Sequence, residues 1–407
     1  MREGLAGAVG PSKAPVVASP PVAVETPDPA IQKREGRDRI AGLDGLRAIA
    51  ILAVVVAHSV EDPLIGGAQD ARWSAILYKL GPFGVRLFFA ISGYLITSLF
   101  VKELKAHGPG LALRMFYIRR VFRIIPPLVP YLAVLAVAGW LSLLPANTPV
   151  RVKDLVAAGL FAGNYLAGGW VVLHFWSLAV EEHFYLLWPP LMALVGEGAS
   201  KWCCIVIVCV VAVIRPLTLA HHPAGDAAGL LMQTHLIIDF LVYAALLALL
   251  VRNSSVRCWL RAKSRPVVVA GLFALLMLTD LIAPKVKVVD PRSLEAALFA
   301  LIVVLPSLRA DMLLVRWLEH PVLVWIGRRS YSIYIWQELF LLPLGVTLAQ
   351  KAELFLPRVI PLLVVAALSY RFLEEPMIRK GRSIARRLID SRAMVAAASV
   401  GKARRHA

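Results

Sequence analysis

Ten long apolar runs constrain the fold of this chain more than any other feature, because each is about as long as a membrane crossing. They lie near 42–60, 83–101, 121–142, 177–196, 201–219, 228–250, 266–283, 294–309, 327–349 and 357–375. A helix needs about 20 mainly apolar residues to cross the hydrocarbon core of a bilayer. With 59% hydrophobic residues, the sequence predicts an all-α, polytopic integral membrane protein with about ten transmembrane helices.

The basic residues cluster between these runs and predict the orientation of the chain. Three clusters lie within 102–120, 252–265 and 379–387. An eleventh, shorter run at 153–169 would move the last two clusters to the opposite side if it crossed, against the preference of Lys and Arg for the cytoplasm. We therefore expect this run to be re-entrant or interfacial and both termini to be cytoplasmic, in the inner membrane. Membrane topology also explains the net charge of +18, so no nucleic-acid partner is predicted.

Composition divides the chain into three parts. Residues 1–39 are rich in Pro and Ala, which predicts a disordered cytoplasmic tail rather than a signal peptide. Residues 40–376 form the predicted membrane domain, and residues 377–407 form a basic cytoplasmic tail.

Arg47 and His58 are the first residues that suggest chemistry. They lie on one apolar stretch with ten residues between them. Eleven residues at 100° each return to within about 20° of the starting direction and rise roughly 16 Å, so a helix would project both side chains from one face. Ionisable groups are costly inside a membrane, which makes such a pair a functional candidate. The alternative is that Arg47 reaches a headgroup and His58 caps the far end.

Three arginines, Arg119, Arg120 and Arg123, form a second candidate group at the start of a predicted span. Arg120 and Arg123 are three residues apart and would share a helix face. Fixed guanidinium pairs suit phosphate or pyrophosphate. From charge alone, ordinary anchoring on the cytoplasmic side is the favoured explanation.

Two adjacent carboxylates, Glu181 and Glu182, lie early in the span that follows His174. Adjacent helical residues diverge by about 100°, so we expect at most one of them to face a site together with Tyr185. The spacing of two histidines that would indicate a zinc helix is absent, and the four cysteines form no metal-binding pattern, so no metal site is predicted.

Aromatic hydroxyls are dense in the segment WIGRRSYSIYIWQ, which carries Tyr331 and Tyr334. Such hydroxyls can line a sugar-binding surface, and packing in a membrane belt explains them equally well. Both roles, acceptor binding and structural packing, remain open for Tyr185, Tyr331 and Tyr334.

Six segments in order, from about 40 to 376, resemble the acyltransferase-3 family of integral-membrane O-acyltransferases. They are GLDGLRAIAILAVVVAH, FFAISGYLIT, RRVFRIIP, HFWSLAVEEHFYLLWP, GRRSYSIYIW and SYRFLEEP. The resemblance implies that Arg47 and His58 match the family's paired arginine and catalytic histidine. It further implies that Arg120 and Arg123 match its cytoplasmic arginine motif.

The sequence departs from the family at two positions. Gln337 stands where members often carry His, and glutamine cannot shuttle a proton near neutral pH. Ile237 stands where an arginine often precedes Asp239 by two residues. Both departures bear on acceptor specificity rather than on the type of reaction.

The resemblance implies transfer of an acyl group, expected to be acetyl, from acyl-CoA to a sugar hydroxyl of an envelope polysaccharide or glycolipid. In this hypothesis His58 is the base, Arg47 holds the donor or polarises its thioester, and Glu181 or Glu182 orients His58. Acyl-CoA, expected to be acetyl-CoA, is a substrate, and no bound cofactor is predicted. The alternatives are acylation of a secondary metabolite such as a macrolide sugar, and a transporter or polysaccharide-export component without catalysis.

Overall fold

The computed structural model describes residues 40–60, 68–166, 168–222, 227–282, 291–343 and 348–403. The predicted N-terminal tail, 1–39, lies outside them. Every regular element in these ranges is helical, as the sequence predicts. The first half of the chain forms α1 Leu43–Val60, α2 Ala68–Tyr78, α3 Leu80–His107, α4 Pro109–Trp140, α5 Val152–Gly159, α6 Trp170–Leu173, α7 Phe175–His221, α8 Ala227–Leu230 and α9 Thr234–Ile237.

The second half of the chain continues the helical bundle and ends in a basic helix. It forms α10 Asp239–Leu250, α11 Ser254–Lys263, α12 Pro266–Ile282, α13 Arg292–Ser307, α14 Leu313–Leu318, α15 Pro321–Arg328, α16 Ser330–Phe340, α17 Leu348–Ser369, a π-helix Tyr370–Glu374 and α18 Glu375–Ala403. The predicted basic tail is therefore helical as far as residue 403. It lies against α4, where a Cβ added at Gly381 would come within 2.7 Å of Phe122.

Among the described residues, five helices are long and apolar enough to cross a membrane, and the pair α10 and α11, bent by 114°, would make a sixth. The predicted number of about ten crossings remains a prediction. Several predicted runs are divided differently in the structure. The run 327–349 is split at Arg329 between α15 and α16, whereas 177–196 and 201–219 join in the 47 residues of α7. Gly196 separates the two parts of α7, because its φ of 76° is incompatible with a continuous helix.

The segment 153–169 does not form a crossing helix, in agreement with the charge argument. Among its described residues, only the seven that belong to α5 are helical, and the eight residues of α5 rise about 12 Å, less than half the hydrocarbon thickness. The Asp154 carboxylate accepts a hydrogen bond from the Gly169 backbone N–H at 3.3 Å and so closes the loop that follows.

Helix α1 is central, because its two faces belong to two separate hydrophobic clusters. Ala50 and Val54 pack in the cluster that includes α3, α10 and α13. Ile51 and Val55 pack in the cluster that includes α4, α16 and α17. The polar side chains of α1 are therefore held between two apolar cores, which fixes the direction of Arg47 and His58.

Gly93 lets α3 and α10 approach closely. A Cβ on Gly93 would lie 2.1 Å from the Leu241 carbonyl oxygen, and backbone cannot yield as a flexible side chain can. The two helices can therefore pack this closely only with a residue as small as glycine at this position.

We expect Gly93→Ala to lower the free energy of unfolding by about 1–3 kcal/mol or more, the usual cost of overpacking. The measurement is thermal unfolding of the detergent-purified protein. Gly110→Ala is the matched control, because nothing lies within 4 Å of a Cβ at Gly110. Equal midpoints for the two variants would contradict the close approach.

Candidate active site

A cavity opens beside α1. We call it the arginine cavity, because Arg47, Arg120 and Arg123 all line it. The other lining residues come from α3, α4, α7 and α16, namely Phe88, Ser92, Ile124, Ser177, Leu178, Glu181, Glu182, Tyr185, Ser330, Tyr331 and Tyr334. The structure thus gathers most of the predicted site residues in one place.

The guanidinium of Arg120 is held by aromatic rings. Its central carbon lies 4.7 Å from the ring centroid of Tyr185 and 5.5 Å from that of Phe116. Neither Arg120 nor Arg123 forms an ion pair within the described residues. Two guanidiniums without an ion-pair partner on one wall of the cavity therefore favour an anionic ligand. Just beyond them along α4, Pro126 and Pro127 lack the N–H groups that would bond back to the preceding turn.

Arg119 does not share this role. Its Nη2 atom lies 2.5 Å from both carboxylate oxygens of Glu103 on α3, and its side chain does not line the arginine cavity. Adjacent helical residues diverge by 100°, so Arg119 and Arg120 point in different directions. The structure corrects the prediction that all three arginines act together.

Both glutamates, Glu181 and Glu182, line the arginine cavity, which corrects the expectation that at most one would. The cavity is wide enough to span their angular separation. Glu181 accepts hydrogen bonds from the Ser92 hydroxyl and the Tyr185 hydroxyl, each at 2.9 Å. Glu182 Oε1 is buried and makes no hydrogen bond with any described residue.

The tyrosines of the predicted acceptor surface also belong to the arginine cavity. Tyr331 donates its hydroxyl hydrogen to the Ile124 carbonyl at 2.8 Å. Tyr334 donates to the His174 carbonyl and lies 2.7 Å from the Ser177 hydroxyl. The hydroxyls of Tyr331 and Tyr334 are thus committed to the protein, as is that of Tyr185.

His58 lines a second cavity, at the other end of α1. Its Nδ1 atom lies 2.6 Å from Oε1 of Glu338 on α16, and that carboxylate is only 4% exposed. The acid beside His58 is therefore Glu338, not Glu181 or Glu182 as expected. We call this second space the histidine cavity.

The histidine cavity is lined by residues from α1, the end of α2, α6, the start of α7, the segment before α9, and α16. They are His58, Tyr78, Trp170, Leu173, His174, Trp176, Met232 and Glu338. Tyr334 and Ser177 line the arginine cavity, whereas His174, whose carbonyl accepts from Tyr334, lines the histidine cavity. Residues that line the two cavities are therefore in direct contact.

Sequence reasoning missed Glu338, although a signal was present. Glu338 is the single acidic residue in the apolar run 327–349, and the cost of burying a charge in a membrane marks such a residue. What sequence could not supply was its partner, because His58 lies 280 residues earlier along the chain.

The departure at Ile237 is compensated from another helix. Arg215 on α7 forms an ion pair with Asp239, and both side chains are fully buried. Arg215 Nε also donates to the Leu236 carbonyl at 2.6 Å. Asp239 therefore keeps an arginine partner, supplied by α7 instead of by the residue two positions before it.

Comparison with known proteins assigns the chain to a family. The family model described as an acyltransferase domain matches residues 40–370. The chain therefore belongs to the acyltransferase-3 family. No solved structure matches the chain.

Several curated bacterial proteins are similar to the chain. "Putative O-acetyltransferase SACOL0978" of Staphylococcus aureus (strain COL) is 28% identical over 84% of this chain and 58% of its own length. "Putative peptidoglycan O-acetyltransferase YrhL" of Bacillus subtilis (strain 168) is 28% identical over 87% of this chain and 57% of its own length. "O-acetyltransferase OatA" of Staphylococcus aureus (strain NCTC 8325 / PS 47) is 25% identical over 84% of this chain and 58% of its own length. The matched region is thus less than two thirds of each relative.

Proposed function

We propose that this protein transfers an acetyl group from acetyl-CoA to a hydroxyl of an envelope saccharide, with His58 as the general base. The observation that carries the proposal is the contact of His58 Nδ1 with the buried Glu338 carboxylate at 2.6 Å. A carboxylate at Nδ1 holds the hydrogen on that nitrogen and leaves Nε2 to accept a proton.

The reaction follows from this arrangement. His58 Nε2 takes the proton of the acceptor hydroxyl while its oxygen attacks the thioester carbonyl. The tetrahedral intermediate then expels the thiolate of CoA, which recovers the proton from the imidazolium, so that an ester and free CoA leave the enzyme. Glu338 orients the imidazole and stabilises its positive charge.

The arginine cavity is the proposed donor site. The diphosphate of CoA is anionic, and Arg47, Arg120 and Arg123 face one space. Arg47 lies roughly 16 Å along the helix from His58, beyond the reach of its own side chain. Its proposed task is therefore to hold the donor, while the long pantetheine arm carries the thioester towards the base.

The acceptor class and the location are inferred from the relatives and from charge. The three relatives described above all carry O-acetyltransferase names, and that of YrhL specifies peptidoglycan. Basic residues adjoin the end of α1 that carries Arg47, and the orientation rule places that end in the cytoplasm. A cytoplasmic donor would then meet an acceptor that enters from the outer side of the inner membrane.

The proposal is tested by mass spectrometry of envelope glycans from cells with and without the protein. Loss of O-acetyl groups from a glycan, restored by the wild-type gene but not by His58→Ala, is the expected result. Unchanged glycans together with loss of acylation on a secreted metabolite would show that the acceptor is a secondary metabolite instead.

We expect Glu338→Gln to lower kcat by about 10²-fold while the KM for acetyl-CoA stays the same, because orientation of the base is lost but the donor site is intact. Steady-state kinetics of the purified protein measure both constants. Glu353→Gln is the matched control, since Glu353 is exposed on α17. A Glu338→Gln enzyme with wild-type kcat would contradict the proposed pair.

A further inference from the structure

The histidine cavity has an aromatic lining that the proposed reaction does not by itself explain. Tyr78, Trp170 and Trp176 come from α2, α6 and α7, three separate elements, and meet around His58. Trp176 packs edge-to-face with Phe89, whose ring centroid lies 6.1 Å away at an interplanar angle of 88°. Rigid aromatic faces beside a base are suited to contact the apolar face of a flat ligand.

Several buried polar atoms of this lining have unused hydrogen-bonding capacity. Trp170 Nε1, both ring nitrogens of His174 and Glu338 Oε2 make no hydrogen bond with any described residue. Buried polar groups are normally satisfied, so these atoms mark a place for a ligand that both accepts and donates hydrogen bonds. Hydroxyl and acetamido groups do both.

Charge distinguishes the two cavities. Three arginines line the arginine cavity, whereas no Lys or Arg is among the described residues that line the histidine cavity. The one carboxylate there, Glu338, would repel an acid. The ligand portion that enters the histidine cavity therefore carries no negative charge.

We propose that the histidine cavity binds a neutral pyranose ring of the acceptor, in contact with Trp170 and Trp176, with one hydroxyl directed at His58. This inference rests on the proposed function, because it takes His58 as the base. According to this inference, Trp170 and Trp176 contribute to acceptor binding and do not contact the acyl donor.

The test measures binding to the purified full-length protein by isothermal titration calorimetry. The probes are chitotetraose, a neutral N-acetylglucosamine tetramer, tetragalacturonate, an anionic sugar tetramer, and CoA. We expect Trp170→Ala and Trp176→Ala each to raise the Kd for chitotetraose about tenfold or more and to leave that for CoA unchanged. Trp140→Ala, at an exposed position on α4 (83% exposed), should change neither constant.

Wild-type protein should bind tetragalacturonate at least about tenfold more weakly than chitotetraose, because Glu338 is not neutralised by any lining Lys or Arg. If an alanine variant also loses CoA binding, which would indicate a folding defect, the test uses Trp170→Phe and Trp170→Leu instead. The phenyl ring should retain more sugar affinity than the leucine side chain. Equal affinity of those two variants would overturn the inference.

The inference is also overturned if wild-type protein does not bind chitotetraose, prefers tetragalacturonate, or is indifferent to both tryptophan substitutions. Failure of the proposed function gives a different result from failure of this inference. His58→Ala should still bind chitotetraose, so binding that depends on both tryptophans without any acyl transfer contradicts only the reaction. Transfer that requires His58 but not the tryptophans contradicts only this inference.

Discussion

Replacing His58 with alanine should reduce kcat for acetyl transfer by about 10²- to 10⁴-fold, the range that a general base contributes. The imidazole is the group in the histidine cavity that a buried carboxylate orients, at 2.6 Å. Transfer of radiolabelled acetyl groups from acetyl-CoA by the detergent-purified protein measures the loss. Binding of CoA should be unchanged, because the arginine cavity lies at the other end of α1.

The control is His221→Ala. His221 is exposed, and its Nδ1 lies 2.7 Å from the Leu217 carbonyl within its own helix. This substitution should leave kcat at the wild-type value. Near-wild-type turnover in His58→Ala, with intact folding, would contradict the role of His58 as the base.

The double substitution Arg120→Ala with Arg123→Ala should raise the KM for acetyl-CoA by roughly 10²- to 10⁴-fold, since each charge-assisted phosphate contact is worth about 1.5–3 kcal/mol. The KM for the acceptor should change much less. Both guanidiniums line the arginine cavity without an ion pair to any described residue. High donor concentration should therefore restore much of the activity.

Arg119→Ala separates donor binding from membrane anchoring. It removes the same charge from the same helix, but Arg119 is engaged by Glu103. We expect a donor KM close to that of the wild type. If the double variant and Arg119→Ala both lower only the amount of inserted protein, and neither alters the donor KM, the arginines are topology anchors.

Local periodicity predicted those parts of the site that lie on one helix. The 100° turn per residue placed Arg47 and His58 on one face of α1. The same turn explains why Arg120 lines the arginine cavity and its neighbour Arg119 does not. The same rule failed for Glu181 and Glu182, because it gives directions but not the width of the space that those directions enter. Helical register alone therefore gives candidates and not a complete site.

Contacts between distant segments could not be predicted from the sequence. Glu338 reaches His58, and Arg215 reaches Asp239, only because α16 and α7 pack where they do. The division of the apolar run 327–349 at Arg329 was missed for a similar reason. An apolar composition fixes the total length of a segment in the membrane, whereas breaks depend on local turns and on tertiary hydrogen bonds.

Because Arg47 and His58 lie on one helix, the backbone of α1 fixes the distance between the proposed donor site and the proposed base. Side-chain rotation cannot alter the spacing, which the rise of 1.5 Å per residue sets in the backbone. A single residue inserted in the middle of α1 would leave both side chains present yet turn one by 100° relative to the other. The protein would then keep both side chains but lose their alignment. The length and helical phase of α1 therefore matter as much as the identity of its residues.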